Sequence, residues 1–430
     1  VALGLLLIAN LGRIPAFSTG DRTAPILIND LVVGLLIVSA AIVMVRRRSM
    51  VLDRAAWFAL AFAALGGISA VLSVPRFGLS AFELVASLAY LARWLFYFAV
   101  YVIVVNFVRR DDVESVWGAL EATILVFAGF GVLQSAFLPG FAQIVYPESR
   151  LIEDWDPQGH RLVSTFLDPN LAGAFIDIGL IVLLARQATG ARVAGWKLLL
   201  LLTALVLTAS RSSVLGFVVG VGTIVLLRGL SKRMLRLTLL GATLSLIALP
   251  KVLAYARLYN KLTIDESALM RVTSWLNGLR VLSDHPIIGV GINTWGYVQE
   301  RYGGLRAHAA TYAIDGGLLF VAVMTGFVGL VLYLGMLWSI FGRARRVARN
   351  ESAPAGHRGL AIGAAAVIPA IVTHSLFANS MFFPYLMEAL WVVWGLVFAM
   401  TASRDRDPTP DLRNDALQDA PRFVRLIGAR

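Results

Sequence analysis

Apolar runs of about the length that crosses a bilayer recur along the chain at roughly 1–18, 26–45, 55–74, 84–107, 115–137, 165–186, 196–210, 212–228, 234–254, 317–341, 359–379 and 383–401. Short basic or Gly/Pro-containing breaks separate them. The pattern predicts an all-α fold, a polytopic transmembrane bundle of about twelve helices. It assigns residues 1–401 to a single bundle with long external connections at 138–164 and 255–316. The stretch 402–430, rich in Asp, Arg and Pro, is expected to be a mobile cytoplasmic tail. Within the second connection, Leu269, Val272, Leu276 and Leu279 recur at helical spacing over Ser267 to Ser283, a pattern expected of an amphipathic helix lying along the membrane surface.

Charge sets the orientation, because Lys and Arg are retained on the cytoplasmic side of short loops. Alternate loops carry Arg46, Arg47, Arg48 and Arg54; Arg109 and Arg110; Arg186, Arg192 and Lys197; Arg228, Lys232, Arg233 and Arg236; and Arg343, Arg345, Arg346, Arg349 and Arg358. The intervening loops around 75–83 and 380–383 are poor in basic residues, and the two long connections fall in this second set. The first set is expected to face the cytoplasm and the second the periplasm or cell exterior, with both termini inside.

Composition agrees: 58% of the 430 residues are hydrophobic and 15% charged, and mean hydropathy is +0.76. A soluble domain carries about one-quarter charged residues, so a soluble fold is excluded. The net charge of +12 is dispersed between apolar runs and forms no continuous basic patch with interleaved aromatics, so nucleic acid is not an expected partner. Cysteine is absent, which removes disulfides and thiolate metal sites. The chain opens inside an apolar run without a starting Met or a recognisable cleavable signal, as expected of a trimmed N-terminus.

Few polar residues are placed to do chemistry. Arg211 lies in the polar break Thr208-Ala209-Ser210-Arg211-Ser212-Ser213. A guanidinium there either reaches the interface or meets an anion. Arg271 and Arg280 lie along the amphipathic segment, where such residues contact solvent or headgroups. Together with Arg211 they form a candidate clamp for a diphosphate, because the guanidinium fork binds phosphate oxygens bidentately. His308 and Asp315 end the long connection and are candidates for the general base toward a hydroxyl; the simpler roles are an exposed loop His and a helix cap.

Other polar residues have plainer readings. His285 is expected to shape a turn and His374 to be a hydrogen-bond partner within the bundle. Glu153-Asp154-Trp155-Asp156 invites a metal reading and equally suits a solvated loop. Asp177, inside a span, needs a partner or an aqueous cavity and motivates a second class of function, a proton-coupled transporter or lipid-linked glycan flippase.

Three stretches resemble the O-antigen ligase and O-antigen polymerase family of bacterial envelope enzymes. Arg161-Leu162-Val163-Ser164-Thr165-Phe166-Leu167-Asp168-Pro169-Asn170-Leu171-Ala172 is similar to the family's Arg, Gly-or-Ser, Phe, Pro-Asn and Ala pattern. Ser210-Arg211-Ser212 resembles its external Ser-Arg motif. Arg271-Val272-Thr273-Ser274-Trp275, followed by His285-Pro286-Ile287-Ile288-Gly289-Val290-Gly291, resembles its most recognisable stretch. The resemblance runs through roughly 160–330. There is one departure. The family usually has His-Asn shortly before a Tyr-Leu and a terminal Glu-x-Gly; here Asp315-Gly316 occupies that place and His308 lies about two helical turns earlier, which leans toward a polymerase over a ligase.

The resemblance implies glycosyl transfer in the inner membrane, with the active site facing the periplasm, from a glycan on undecaprenyl diphosphate to a glycan or lipid A-core acceptor. No metal or other cofactor is implied. Arg211 and Arg271, aided by Arg161 or Arg280, would hold the diphosphate, and His308 or Asp315 would activate the acceptor hydroxyl for in-line, inverting attack.

Overall fold

A computed structural model describes residues 12–17, 26–47, 50–145, 160–228, 266–303 and 314–401. The expected span at 234–254, the acidic run 153–156, His308 and the tail 402–430 lie outside the described residues. The longer helices are α1 (Ile28–Arg47), α2 (Arg54–Phe77), α3 (Ala81–Phe107), α4 (Val113–Phe137), α5 (Pro169–Ala188), α6 (Gly195–Leu207), α7 (Arg211–Arg228), α8 (Glu266–Asp284), α9 (Gly317–Arg349), α10 (Ala355–His374) and α11 (Pro384–Ala399). Eight of them are long and apolar enough to cross a membrane; α6 and α11 are apolar but shorter, and α8 is the amphipathic segment. The chain is thus an all-α, multi-pass membrane bundle. Of the expected span 1–18 only 12–17 is described, and there the chain turns into a short strand, Pro15–Phe17, paired antiparallel with Ile26–Leu27.

Local sequence explains the helix boundaries. Asp53 accepts from the Ala56 amide at the start of α2, and Gly78 ends that helix in a left-handed conformation. Ser80 and Glu83 form a reciprocal capping box on α3. Asp168 accepts from the amides of Asn170 (2.8 Å) and Leu171 (3.1 Å), and Pro169 supplies a first-turn residue that needs no hydrogen bond. The α5 span therefore begins at Pro169, later than hydropathy alone places it, because a 3-10 turn at Ser164–Phe166 precedes it.

The buried centre is α5, which packs against α10 and α7. Small residues permit the approach: a Cβ at Gly363 of α10 would lie 2.7 Å from the Val182 Cα of α5. The loops gather into two ends. At one, Arg186 bonds Glu114 (2.8 and 3.2 Å) and the Gly356 carbonyl, and Asp53 meets Tyr101 (2.9 Å) and Arg343 (3.5 Å). These contacts join the basic loops that the charge pattern assigns to one side. The starts of α5, α7 and α9 and the end of α10 lie at the opposite end, the site end.

One break in regular structure organises the site end. Within α9, Gly326 has φ 68° and ψ −172°, so the helix is two helices joined at a kink. The freed backbone groups pair with the extended segment after α8. Val290 N–H donates to Val323 O (2.9 Å), Gly291 N–H to Met324 O (3.0 Å), and Phe327 N–H to Pro286 O (2.7 Å). The stretch His285-Pro286-Ile287-Ile288-Gly289-Val290-Gly291 is therefore a structural insert that fills the kink. Gly289 and Gly326 have positive φ, and a Cβ on either would collide with backbone across the pairing. Gly326→Ala is expected to destabilise the bundle by about 2–6 kcal/mol, combining strain in a glycine-only region with overpacking. The thermal midpoint of purified protein in detergent measures this, and a wild-type midpoint would contradict the kink's role.

Candidate functional site

The site end is built from the 161–170 segment, the 208–213 turn, the N-terminal half of α8, and the start of α9 with the 374–380 turn. Helix α6 has 13 residues, a length of about 20 Å against a hydrocarbon core of about 30 Å. The turn after it is therefore not carried far into water, and irregular backbone at that depth must be satisfied by protein. It is. Arg161 Nε donates to Thr208 O (2.9 Å) and its Nη2 to Ala209 O (3.4 Å), Leu162 N–H donates to Leu207 O (3.0 Å), and Ser210 N–H donates to Thr208 Oγ1 (3.2 Å). Gln134, from α4, holds the other side of that segment: its Oε1 accepts from the amides of Val163 (3.0 Å) and Ser164 (3.2 Å). The first family-like stretch thus braces the second, and Arg161 shapes the turn from which Arg211 projects. Arg211 is exposed at the head of α7.

A polar cluster lies directly behind Arg211. Ser210 Oγ donates to Asn170 Oδ1 (2.9 Å), Ser213 Oγ donates to Ser210 Oγ (2.8 Å), and Ser212 Oγ lies 3.1 Å from Ser210 Oγ. His374, fully enclosed at the end of α10, contacts Asn170 O (3.0 Å) and Ser212 Oγ (3.2 Å) through Nε2 and Ser380 Oγ (2.8 Å) through Nδ1. Its expected role as a bundle hydrogen-bond partner is what the structure contains. Ser380 and Ser375 bond each other at 2.9 Å.

The same turn touches the start of α9. Gly317 N–H donates to Ser375 O (2.6 Å) and Asn379 Nδ2 to Ile314 O (2.7 Å), so both sides of Asp315 are tied to the 375–379 backbone and side chains. On α8, Arg271, Ser274, Trp275 and Gly278 share one face by helical spacing. Ser274 Oγ accepts the Asp315 amide (3.0 Å), the Trp275 ring lies beside Phe377, and Gly278 has no Cβ to hold Leu319 and Ile314 away. Partial burial raises the Asp315 carboxyl above the usual carboxylate range, and the nearby positive charge of Arg271 pulls it part of the way back. A carboxylate held in this way accepts a proton more readily than an exposed Asp does.

Val272, Leu276 and Leu279 occupy an exposed face of α8, as the predicted amphipathic helix requires. Arg280 is about two and a half turns beyond Arg271, which places it roughly 180° around the helix from it. It is exposed and does not share the face that meets Asp315. His285 opens the turn after α8, its carbonyl accepting from the Gly289 amide (3.1 Å), with its ring edge-on to Phe77 (5.3 Å). Burial, with Arg76 next, lowers its pKa from the ordinary imidazole value.

Asp177, about two turns along α5 from Asn170, is buried in a cavity about one water molecule in size, which it lines with His374, Ile181, Val367 and Ala370. Among the described residues its Oδ1 has no hydrogen-bond partner. Asn170 belongs to a family-like stretch, whereas Gln134, Ser375, Asn379 and Ser380 are members of this site that the sequence does not mark. Their signal was weak: single polar residues at the edges of apolar runs, whose partners lie far away in the chain.

No curated protein matches the chain. Residues 196–334 match a family model described as O-Antigen ligase. That region runs from α6 to the middle of α9 and contains Arg211, Arg271 and Asp315, and the match supports assignment of the chain to the O-antigen ligase and polymerase family.

Proposed function

We propose that this protein is an integral membrane glycosyltransferase that takes glycan from a polyprenyl-diphosphate-linked donor, of the undecaprenyl type, at the periplasmic face of the inner membrane. It either polymerises lipid-linked oligosaccharide repeats or passes a finished glycan to an acceptor such as lipid A-core. The observation that carries the reading is the continuity of the site end. The Ser-Arg turn, Asn170, His374, Ser380 and the Asp315 segment are linked by successive hydrogen bonds, and the positive charge of Arg271 is close enough to act on the Asp315 carboxyl. This continuity supports the reading that two arginines and a carboxylate from three separate parts of the chain serve one site.

The reaction follows from that chemistry. Arg211 and Arg271 hold the donor diphosphate and stabilise the charge that grows on it as the glycosidic bond breaks. Asp315 accepts the proton of the acceptor hydroxyl as its oxygen attacks the anomeric carbon from the face opposite the diphosphate, which inverts configuration. His308 remains the alternative base. Arg161 serves the site through the turn it braces, and Arg280 stands at the margin. The exposed apolar face of α8 supports a position at the outer membrane surface, where a lipid tail enters from the side.

Incubating purified protein with a polyprenyl-diphosphate-linked oligosaccharide and resolving the products by size tests the class of function. A ladder of lengthened glycans is expected of a polymerase, and a single transfer to a different acceptor of a ligase. A donor that crosses the membrane unchanged would instead identify a transporter, the reading that buried Asp177 keeps in contention.

A further inference from the structure

We propose that His374 is a positioning residue that joins the donor-binding half of the site, around Arg211, to the half that carries Asp315. The inference rests on the function proposed above, and it concerns a residue outside the matched family region. Its basis is the direction of each hydrogen bond. The Asn170 carbonyl oxygen only accepts, so the 3.0 Å contact requires a proton on Nε2 of His374. In the neutral ring Nδ1 is then an acceptor, and Ser380 donates to it across 2.8 Å. The Ala378 carbonyl, 3.2 Å away, is a second and longer acceptor for the same hydroxyl hydrogen, and Ser375 Oγ lies 2.9 Å from Ser380 Oγ.

The two nitrogens therefore serve different parts of the site. Nε2 holds the start of α5 and approaches Ser212, the residue after Arg211. Asn170 in turn accepts from Ser210, the residue before Arg211. Nδ1 holds Ser380, in the turn whose Ser375 carbonyl and Asn379 amide fix Gly317 and Ile314 on either side of Asp315. A side chain with one donor and one acceptor on opposite sides of a rigid ring is suited to fixing the spacing between a diphosphate clamp and a base. That distance must hold to within about half an ångström for in-line attack.

Amide side chains separate the two functions. Gln reaches about as far as Nε2 and keeps a donor for the Asn170 carbonyl, whereas Asn reaches about as far as Nδ1 and keeps an acceptor for Ser380. With the purified full-length protein and a polyprenyl-diphosphate-linked oligosaccharide, His374→Gln is expected to leave donor KM within about twofold and to lower kcat by about tenfold or more. Ser380→Ala, a smaller change on the same arm, is expected to repeat that pattern. His374→Asn is expected to raise donor KM by about tenfold with kcat within about threefold, the scale of one lost hydrogen bond.

Wild-type constants in all three variants would overturn the proposal. So would a loss shared equally between kcat and KM that tracks lowered thermal stability, since that is the mark of a purely structural residue. If the His374 variants do not fold, Ser380→Ala decides alone: a kcat loss at unchanged KM supports the joint, and wild-type kcat overturns it. Arg211→Ala run alongside keeps the two claims apart. An active Arg211→Ala would defeat the clamp itself, whereas an inactive one beside unaffected His374 and Ser380 variants would defeat only the joint.

Discussion

Arg211→Ala is expected to lower glycan product formation by about 10²–10³-fold, the usual effect of removing one preorganised donor from a developing anion. Membrane insertion should be unchanged, because the exposed guanidinium lies at the head of α7, whereas the serines behind it carry the packing. Arg211→Lys should recover only part of the activity, since an ammonium keeps the charge and loses the planar fork. Arg271→Ala is expected to cause a loss of similar size. Product yield from a lipid-linked donor, normalised to protein recovered in the membrane, measures both, and full activity in either variant would remove that residue from the site.

Asp315→Asn is expected to lower kcat by about 10²–10⁴-fold if this carboxylate is the general base. The sign of its pH dependence follows from its surroundings. Burial raises its pKa above the usual carboxylate range, so the active, ionised form accumulates as pH rises and activity is lost on acidification at a higher pH than for an exposed Asp. Arg271 favours the ionised form and opposes that shift. Arg271→Gln should therefore move the acidic limb of the kcat profile to still higher pH, in addition to weakening donor binding. A kcat profile with no acidic limb, or an active Asp315→Asn variant, would assign the base to another residue, with His308 the next to replace.

Much of the fold is legible in the sequence because membrane helices follow from local composition. The apolar runs at 26–45, 55–74, 84–107 and 115–137 correspond to α1 to α4 within a few residues, and Ser80, Glu83, Asp53 and Asp168 cap helices where their spacing indicates. The amphipathic segment 267–283 corresponds to α8 with its apolar face exposed. The kink in α9 was not legible. Gly326 is one glycine in an apolar run, and its conformation is set by the Pro286–Gly291 insert that arrives from another part of the chain.

The candidate site divides the same way. Arg211 stands out because it sits in a short polar break on the side where basic residues are otherwise scarce, and Arg271 and Asp315 because they fall in or beside the family-like stretches. The connections that give them a common address do not, since Ser212–His374 and Asn379–Ile314 join residues far apart in sequence. Arg161 and Arg280 read alike in the sequence as possible anion ligands, yet one donates to the Thr208 carbonyl and the other lies on a separate face of α8 from Arg271.

The most direct test of the account is equilibrium binding of polyprenyl diphosphate, without glycan, to purified wild-type, Arg211→Ala, Arg271→Ala and doubly substituted protein, with the uncharged polyprenol as reference. Each single substitution is predicted to weaken diphosphate binding by about 10–100-fold, the scale of a charged hydrogen bond, with a non-additive loss in the double variant and little change for the polyprenol. Unchanged diphosphate affinity in both single variants would contradict the claim that these two guanidinium groups grip one anion.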